Sequence, residues 1–284
     1  MDLDALLTAL YVVIDDHVIP PAGRRVGRPK KLSDAELVCL AVAQVLVGAR
    51  SEHHWMRLCY GRLGHLFPYL PNQPGYHKRV KAAAPLICQA TLYLATLCPS
   101  WAEELRLLDA TPVPCGASRQ TVKRSELAGH ADYGYCAAHS RYYWGLKLYL
   151  LTTPEGMPLA WCLANPKLGA REVAAELLAH ARDTGALRKQ MIVLTDKGLS
   201  GRDMAHPDRR DQQRRFGNLA GMRQWIEAII DTVKDQLDLE RHGGRTLPGV
   251  IARIAQRLLA LAACIWHNWR INANHKRSLV AYDH

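Results

Sequence analysis

Along the first hundred residues, apolar positions recur every three or four places. Leu3, Leu6, Leu7, Leu10 and Ile14 mark one stripe, the period of an amphipathic helix. A Pro/Gly-rich basic linker, PPAGRRVGRPKK (20–31), interrupts it. Ser33 and Glu36 then form a capping-box pattern ahead of the strongly apolar run ELVCLAVAQVLVG, which Gly48 ends. Ser51 opens a second helix through about Leu63. FPYLPNQPGYHKR, with three prolines, reads as a loop or turn, and a third helix is expected over 80–97 with Pro85 in or near its first turn. The short GARS connection suggests a helix-turn-helix-like module, although a plain helical bundle carries the same pattern.

From about residue 103 the period changes. RLLDATPV reads as a strand. GYCAAHSRYYWGLKLYLLTTPEGMPLAWCLA reads as two strands joined by the turn Thr153–Gly156. REVAAELLAHARD is a helix, MIVLTD a short buried strand of the parallel kind, and long helices follow around 218–239 and 248–271. Strands followed by helices, with carboxylates at strand ends, predict an α/β layered domain. The expected organisation is an all-helical region, 1–100, followed by the α/β core and its C-terminal helices, 101–284.

Three carboxylates stand out in this layout. Asp109 follows Leu107 and Leu108 in the first strand, and Asp196 closes MIVLTD; both are expected at strand ends. Glu227 lies mid-helix in LAGMRQWIEAIIDTVKDQL. Such a set can converge on two hard divalent cations, the usual machinery for cutting and joining phosphodiesters. On a uniform helix, Arg223, Glu227 and Lys234 share nearly one face, suited to holding a metal and gripping phosphate together. The alternative is an ordinary surface helix with an Arg223–Glu227 ion pair.

Charge adds to this picture. Lys and Arg total 37 against 26 Asp and Glu, a formal net charge of +11, which favours a polyanionic partner such as nucleic acid. Eight scattered cysteines without a CxxC pair argue against a zinc ribbon or a disulfide framework and fit a reducing cytoplasm. The acidic N-terminus shows no secretory pattern, and apolar stretches such as LLALAACIW read as core helices too short to span a bilayer.

The segments LLDATPVPCGASRQTVKRSELAG, GYCAAHSRYYWGLKLYLL, VLTDKGL and RRFGNLAGMRQWIEAIIDTVKDQLDLERHGGRTLPGVIARIAQRLLALAACIWHNW resemble the DDE transposases of bacterial insertion sequences. The resemblance implies a ribonuclease-H-like α/β core, a mixed sheet flanked by helices, in which Asp109, Asp196 and Glu227 bind two Mg²⁺ ions, with Mn²⁺ as a substitute. It implies that water attacks the phosphodiester at the element end and frees a 3′-hydroxyl, which then attacks target DNA in line. It also implies double-stranded DNA as the partner, both terminal inverted repeats and target, and a homodimer on paired ends. Arg223, Glu227 and Lys234 match the family's R-x3-E-x6-K pattern; the usual tyrosine three residues before the arginine is replaced by Ala220. Asp196 and Glu227 stand 31 residues apart, and DKGLSGRDMAHPDRRD is abbreviated relative to that pattern. The short spacing brings in the alternative of an internal deletion that removes a sheet strand and leaves a DNA-binding remnant. A nuclease that cuts without strand transfer is the other alternative.

Further basic positions are candidate DNA contacts: Arg28 and Lys30 in the linker, Arg119, Lys123 and Arg124 after the first aspartate, Lys197 beside Asp196, and Arg209 and Arg210 before the glutamate helix. Each has a solvated-charge alternative. Strand alternation puts Trp144 toward the core and Tyr143, Lys147 and Tyr149 on the other face, nearer the nucleic acid. His53 and His54 are expected at the surface, and Trp266, His267 and Trp269 in packing.

Overall fold

The computed structural model describes residues 3–20, 30–136, 140–195 and 219–282, with side chains from 224 onward in the last segment. The chain divides into two compact units.

The helical unit comprises most of residues 1–94 together with 241–244 and 248–284. Its N-terminal helices are α1 (Leu3–His17), α2 (Asp34–Leu46), α3 (Glu52–Arg62), α4 (Gln73–Ala82) and α5 (Ala84–Thr96). The capping box forms as expected: Ser33 accepts the Glu36 N–H, and the Glu36 carboxylate returns to the Ser33 N–H. Gly48, at φ +69°, ends that segment in the left-handed region. The loop expected over FPYLPNQPGYHKR is only partly a loop. Asn72 caps α4 through the Gly75 N–H, and Pro74 sits in the first turn, where its missing N–H costs nothing. Helices α4 and α5 break at Ala83, which leaves Pro85 in the first turn of α5.

The last helix, Leu247–Arg270, also belongs to this unit beyond its first residue, not to the strand-bearing unit where the sequence pattern put it. The reason lies in its surface. It is apolar around most of its circumference, so it needs partners on every side, and a surface position on a sheet would leave half of it wet. Contrary to the length argument above, it is long and apolar enough to cross a membrane by length and composition, but 89% of that window is buried inside the protein. Polar residues tie it to its neighbours. Arg253 pairs with the buried Glu52 and with Gln44, whose oxygen also accepts from Tyr76. Trp266 and His267 pack inside, as expected, and His53 and His54 are exposed.

The second unit spans 95–240 and 245–247 and carries a five-stranded mixed sheet. Its strands are β1 (Leu105–Gly116), β2 (Asp132–Cys136), β3 (Arg141–Thr152), β4 (Pro158–Ala164) and β5 (Ile192–Thr195). β1 runs antiparallel to β3 and parallel to β5, while β2 and β4 both pair with β3. A six-residue helix, α6 (Arg119–Arg124), follows β1, and α7 (Ala170–Asp183) carries the chain from β4 over to β5. The glutamate helix, α8 (Leu219–Asp231), comes last, and the closing helix described above is α9.

β1 is longer than RLLDATPV suggested. It continues through Pro112 and Pro114, beyond its last described pair with β5, Leu108–Thr195. Two prolines two residues apart put both missing N–H groups on one edge, so the ladder to β3 survives. Gly145 of β3 is required by this ladder: a Cβ there would stand 2.1 Å from the Val113 carbonyl oxygen. The opposite side of β1 is anchored by Arg106, which is fully buried. Its guanidinium donates to the carbonyls of Trp101 (2.8 Å), Glu103 (2.9 Å), Leu105 (2.9 Å) and Ala186 (3.1 Å). Burial lowers its pKa to about 10, still far above neutral pH, so a charged group is held there by carbonyl dipoles.

Candidate functional site

Alternation along β1 places Leu105, Leu107, Asp109, Thr111 and Val113 on one face of the sheet. That face is the one α8 covers. Leu105 and Leu107 form a small buried cluster with Ile192 of β5 and Ile229 of α8, and Leu194 and Ile226 pack at its margin. The helix bearing Glu227 is thus docked on the strand bearing Asp109, on Asp109's own side. Asp109 stands two residues beyond Leu107, about 6–7 Å along the strand.

Asp109 is not at a strand end, as the sequence had suggested, but inside β1, opposite Leu150 of β3. What ends there is the pairing with β5, whose last register pair is Leu108–Thr195. The Asp109 carboxylate is half-buried, and its Oδ1 accepts the N–H of Ala110 at 2.7 Å. Around it on the same face, the buried hydroxyls of Thr111 and Thr152 have no hydrogen-bond partner among the described residues. Buried polar atoms left in that way are costly.

Glu227 is exposed. At about 100° per residue it lies on the flank of α8, one step round from Ile226 and not on the stripe that meets the sheet. The expectation that Glu227 and Lys234 share one face assumed a uniform α-helix to Leu239. The structure differs: α8 ends at Asp231 and the chain continues as a π turn, Thr232–Gln236, in which the Leu237 N–H reaches back to the Thr232 carbonyl at 3.2 Å. The Thr232 hydroxyl bonds the Ala228 carbonyl at 2.8 Å, a local side-chain bond that competes with the regular ladder. The wider turn swings Lys234 away from the row it would hold on an α-helix, and its side chain is half-buried.

Asp196, Lys197, Arg209, Arg210 and Arg28 lie outside the described residues, as does the side chain of Arg223. Among the described residues no group of three His, Cys, Asp or Glu side chains is placed to hold a metal ion. The donor chemistry of Asp109 and Glu227, hard carboxylate oxygens, suits Mg²⁺. Of the basic candidates, Arg119, Lys123 and Arg124 are exposed on α6. Lys30 is engaged by Asp34, whose two oxygens both sit 2.7 Å from its Nζ. Tyr143 and Tyr149 do not form a nucleic-acid-facing surface with Lys147. Both rings are buried, because both faces of this central strand are covered, and the Lys147 ammonium lies over the Tyr149 ring at 5.5 Å. Trp144 is buried, as expected.

The sequence reading missed β2 and, with it, an exposed set of tyrosines. Its signal was present in DYGYC, where aromatics alternate around Gly134. It also missed Arg106, a charged residue inside an apolar strand. Comparison of the chain with protein-family models, curated proteins and solved structures finds no match.

Proposed function

We propose that this chain is a DDE-type transposase, cleaving phosphodiesters at the ends of an insertion element and joining them to target DNA. The observation that carries this reading is the docking of α8, through Ile226 and Ile229, onto the Asp109 face of β1. Supporting it, the last residues paired between β1 and β5, Leu108 and Thr195, are followed in the sequence by Asp109 and Asp196. The antiparallel run β1–β3–β4, with α7 returning the chain to a strand parallel to β1, fits a ribonuclease-H-like core.

In this reading Asp109, Asp196 and Glu227 hold two Mg²⁺ ions, with Mn²⁺ as a substitute; when bound, these supply the positive charge that activates the attacking oxygen and stabilises the leaving one. The strand fixes the Asp109 carboxylate, while the Ala110 N–H orients one of its oxygens. Arg223 and the α6 cations would neutralise DNA phosphates. Two chains would act on paired ends.

The test is Mg²⁺- and Mn²⁺-dependent cleavage of duplex DNA carrying the ends of the encoding element. Asp109→Asn and Glu227→Gln are expected to abolish cleavage and leave DNA binding within a few-fold of the parent. Cleavage unchanged in either variant refutes the assignment. The short Asp196–Glu227 spacing favours one second reading, a DNA-binding remnant that occupies element ends without cutting; binding without cleavage by the unmodified chain selects it.

A further inference from the structure

The β2–β3 hairpin carries three exposed tyrosines on one face. Tyr142 is 79% exposed, Tyr135 56% and Tyr133 48%. The register explains their alignment: Tyr135 pairs with Tyr142, and Tyr133 with Trp144, so all four side chains project to the same side. The Tyr135 and Tyr142 rings are in contact, with centroids 5.0 Å apart, while Trp144 is buried at the base of the row. Three large aromatics in one open row exceed the scattered single exposures usual on a protein surface.

Two neighbours say what would cover this row. The first is α6. A Cβ on Gly116 would meet both the Thr121 methyl group and the Trp144 ring at 3.1 Å, which places α6 on the tyrosine side of the sheet. Its exposed Arg119, Lys123 and Arg124 make no ion pair among the described residues, and Glu126 is the one exposed carboxylate that follows directly. The second is Asp109. β3 alternates without interruption from Tyr142 to Leu150, and Leu150 lies opposite Asp109, so tyrosines and carboxylate stand on the same sheet face, with the buried Trp144, Leu146, Leu148 and Leu150 in the row between them. Eight residues of strand separate them, roughly 25 Å at the usual rise.

Aromatic faces beside unpaired cations bind the bases and backbone of unpaired nucleic acid: the rings stack on any base, and the cations track the phosphates. We propose that the β2–β3 tyrosines and α6 form a stacking platform for single-stranded or locally unpaired DNA. The inference rests on the proposed function only for its setting, a protein that acts on DNA. A second copy of this chain on the tyrosine row is the competing occupant. It would leave the three α6 cations facing each other across a symmetric interface or facing solvent, so charge complementarity favours the polyanion.

The experiment is fluorescence anisotropy with the full chain, using a labelled oligonucleotide both single-stranded and as a duplex with its complement. The variants are the double changes Tyr135→Ala/Tyr142→Ala and Tyr135→Phe/Tyr142→Phe, with sedimentation velocity on each. Exposed positions on a hairpin tolerate both pairs without unfolding, and far-UV circular dichroism verifies this. The alanine pair is expected to weaken single-strand binding roughly 5- to 150-fold for the loss of one stacked base. The phenylalanine pair should retain it within about twofold, and duplex binding should change little in either. Undiminished single-strand binding by the alanine pair overturns the platform while leaving the proposed function standing. So does loss in the phenylalanine pair, which would assign the effect to the hydroxyls. A drop in sedimentation coefficient with unchanged single-strand affinity overturns it in favour of self-association. An unmodified chain that binds neither DNA refutes the platform and the function together.

Discussion

If α8 positions Glu227 by docking through Ile229, then trimming that one side chain should loosen the docking by a calculable amount. Ile229 is fully buried against Leu105, Leu107 and Ile192. Ile229→Ala removes three carbons, about 2.4 kcal/mol at ~0.8 kcal/mol for each buried group. The cavity left behind adds to this. Its lining is a rigid strand pair on one side and only marginally buried Leu194 and Ile226 on the other, so collapse should be partial. A total near 3 kcal/mol results, inside the usual range of about 2–5 kcal/mol. Ile229→Val removes one carbon and should cost about 1 kcal/mol. Trp225, half-exposed on the outer side of the same helix, supplies the control: Trp225→Ala should cost about 0.5 kcal/mol or less. Urea unfolding followed by far-UV circular dichroism measures all three, and metal-dependent cleavage should fall in the order alanine, valine, tryptophan control. A cost below about 1 kcal/mol for Ile229→Ala, or one equal to that of Trp225→Ala, would refute the docking argument.

Other consequences concern the framework. Arg106→Met strips four close carbonyl partners of their donor in a buried site and should cost at least about 3 kcal/mol in urea unfolding; Arg106→Lys should not rescue it, since an ammonium cannot span the same fork. Ser33→Ala removes one half of the capping box of α2 and should cost about 1 kcal/mol. Burial alone would raise the Asp34 pKa, but hydrogen bonds from Lys30 and Arg79 outweigh it and hold the carboxyl below its ordinary value. A carboxyl depressed in the folded state stabilises the protein above its unfolded pKa, and that contribution disappears as pH falls through the folded value. Unfolding midpoints measured from neutral to acid pH should therefore fall less steeply for Asp34→Asn than for the parent; identical acid limbs would contradict the pairing.

Elements with a strong local signal were legible in the sequence. The capping box at Ser33 and Glu36, the helix of Ser51, the Pro85 position and the turn at 153–156 follow from short-range chemistry that tertiary context does not override. What depended on partners was not. Nothing in RLLDATPV reveals that β1 runs on through two prolines, because that requires knowing how it pairs with β3. The placement of α9 was misread for the same reason: its all-round apolar surface says that it is buried, but not in which unit. Pattern also failed at Thr232, where one hydroxyl bonding backward accompanies a π turn and shifts every later side chain on the helix. For the candidate site, Asp109 and Glu227 were proposed from residue type and spacing, but the contact that docks the helix of one on the strand of the other was not legible. It rests on Ile226 and Ile229, which look like ordinary stripe residues until the sheet face they meet is known.

The two faces of β1 divide the labour of holding Asp109. On one side Arg106 ties the strand to carbonyls at 101, 103 and 186, so the segment before β1 and the connection after α7 converge on a single guanidinium. On the other, Leu105 and Leu107 receive α8. Asp109 sits two residues past the second of these and three past Arg106, where β1 is still laddered to β3 but has lost β5. A carboxylate at that point is rigid, because its strand is fixed on both faces. The carboxylate itself is half-buried, and the described pairing with β5 ends one residue before it. A carboxylate buried three residues earlier would be rigid but inaccessible, and one on the 117–118 loop accessible but loose. In the proposed function, a strand-held carboxylate of this kind would serve a metal-assisted reaction by keeping one ligand in a fixed position.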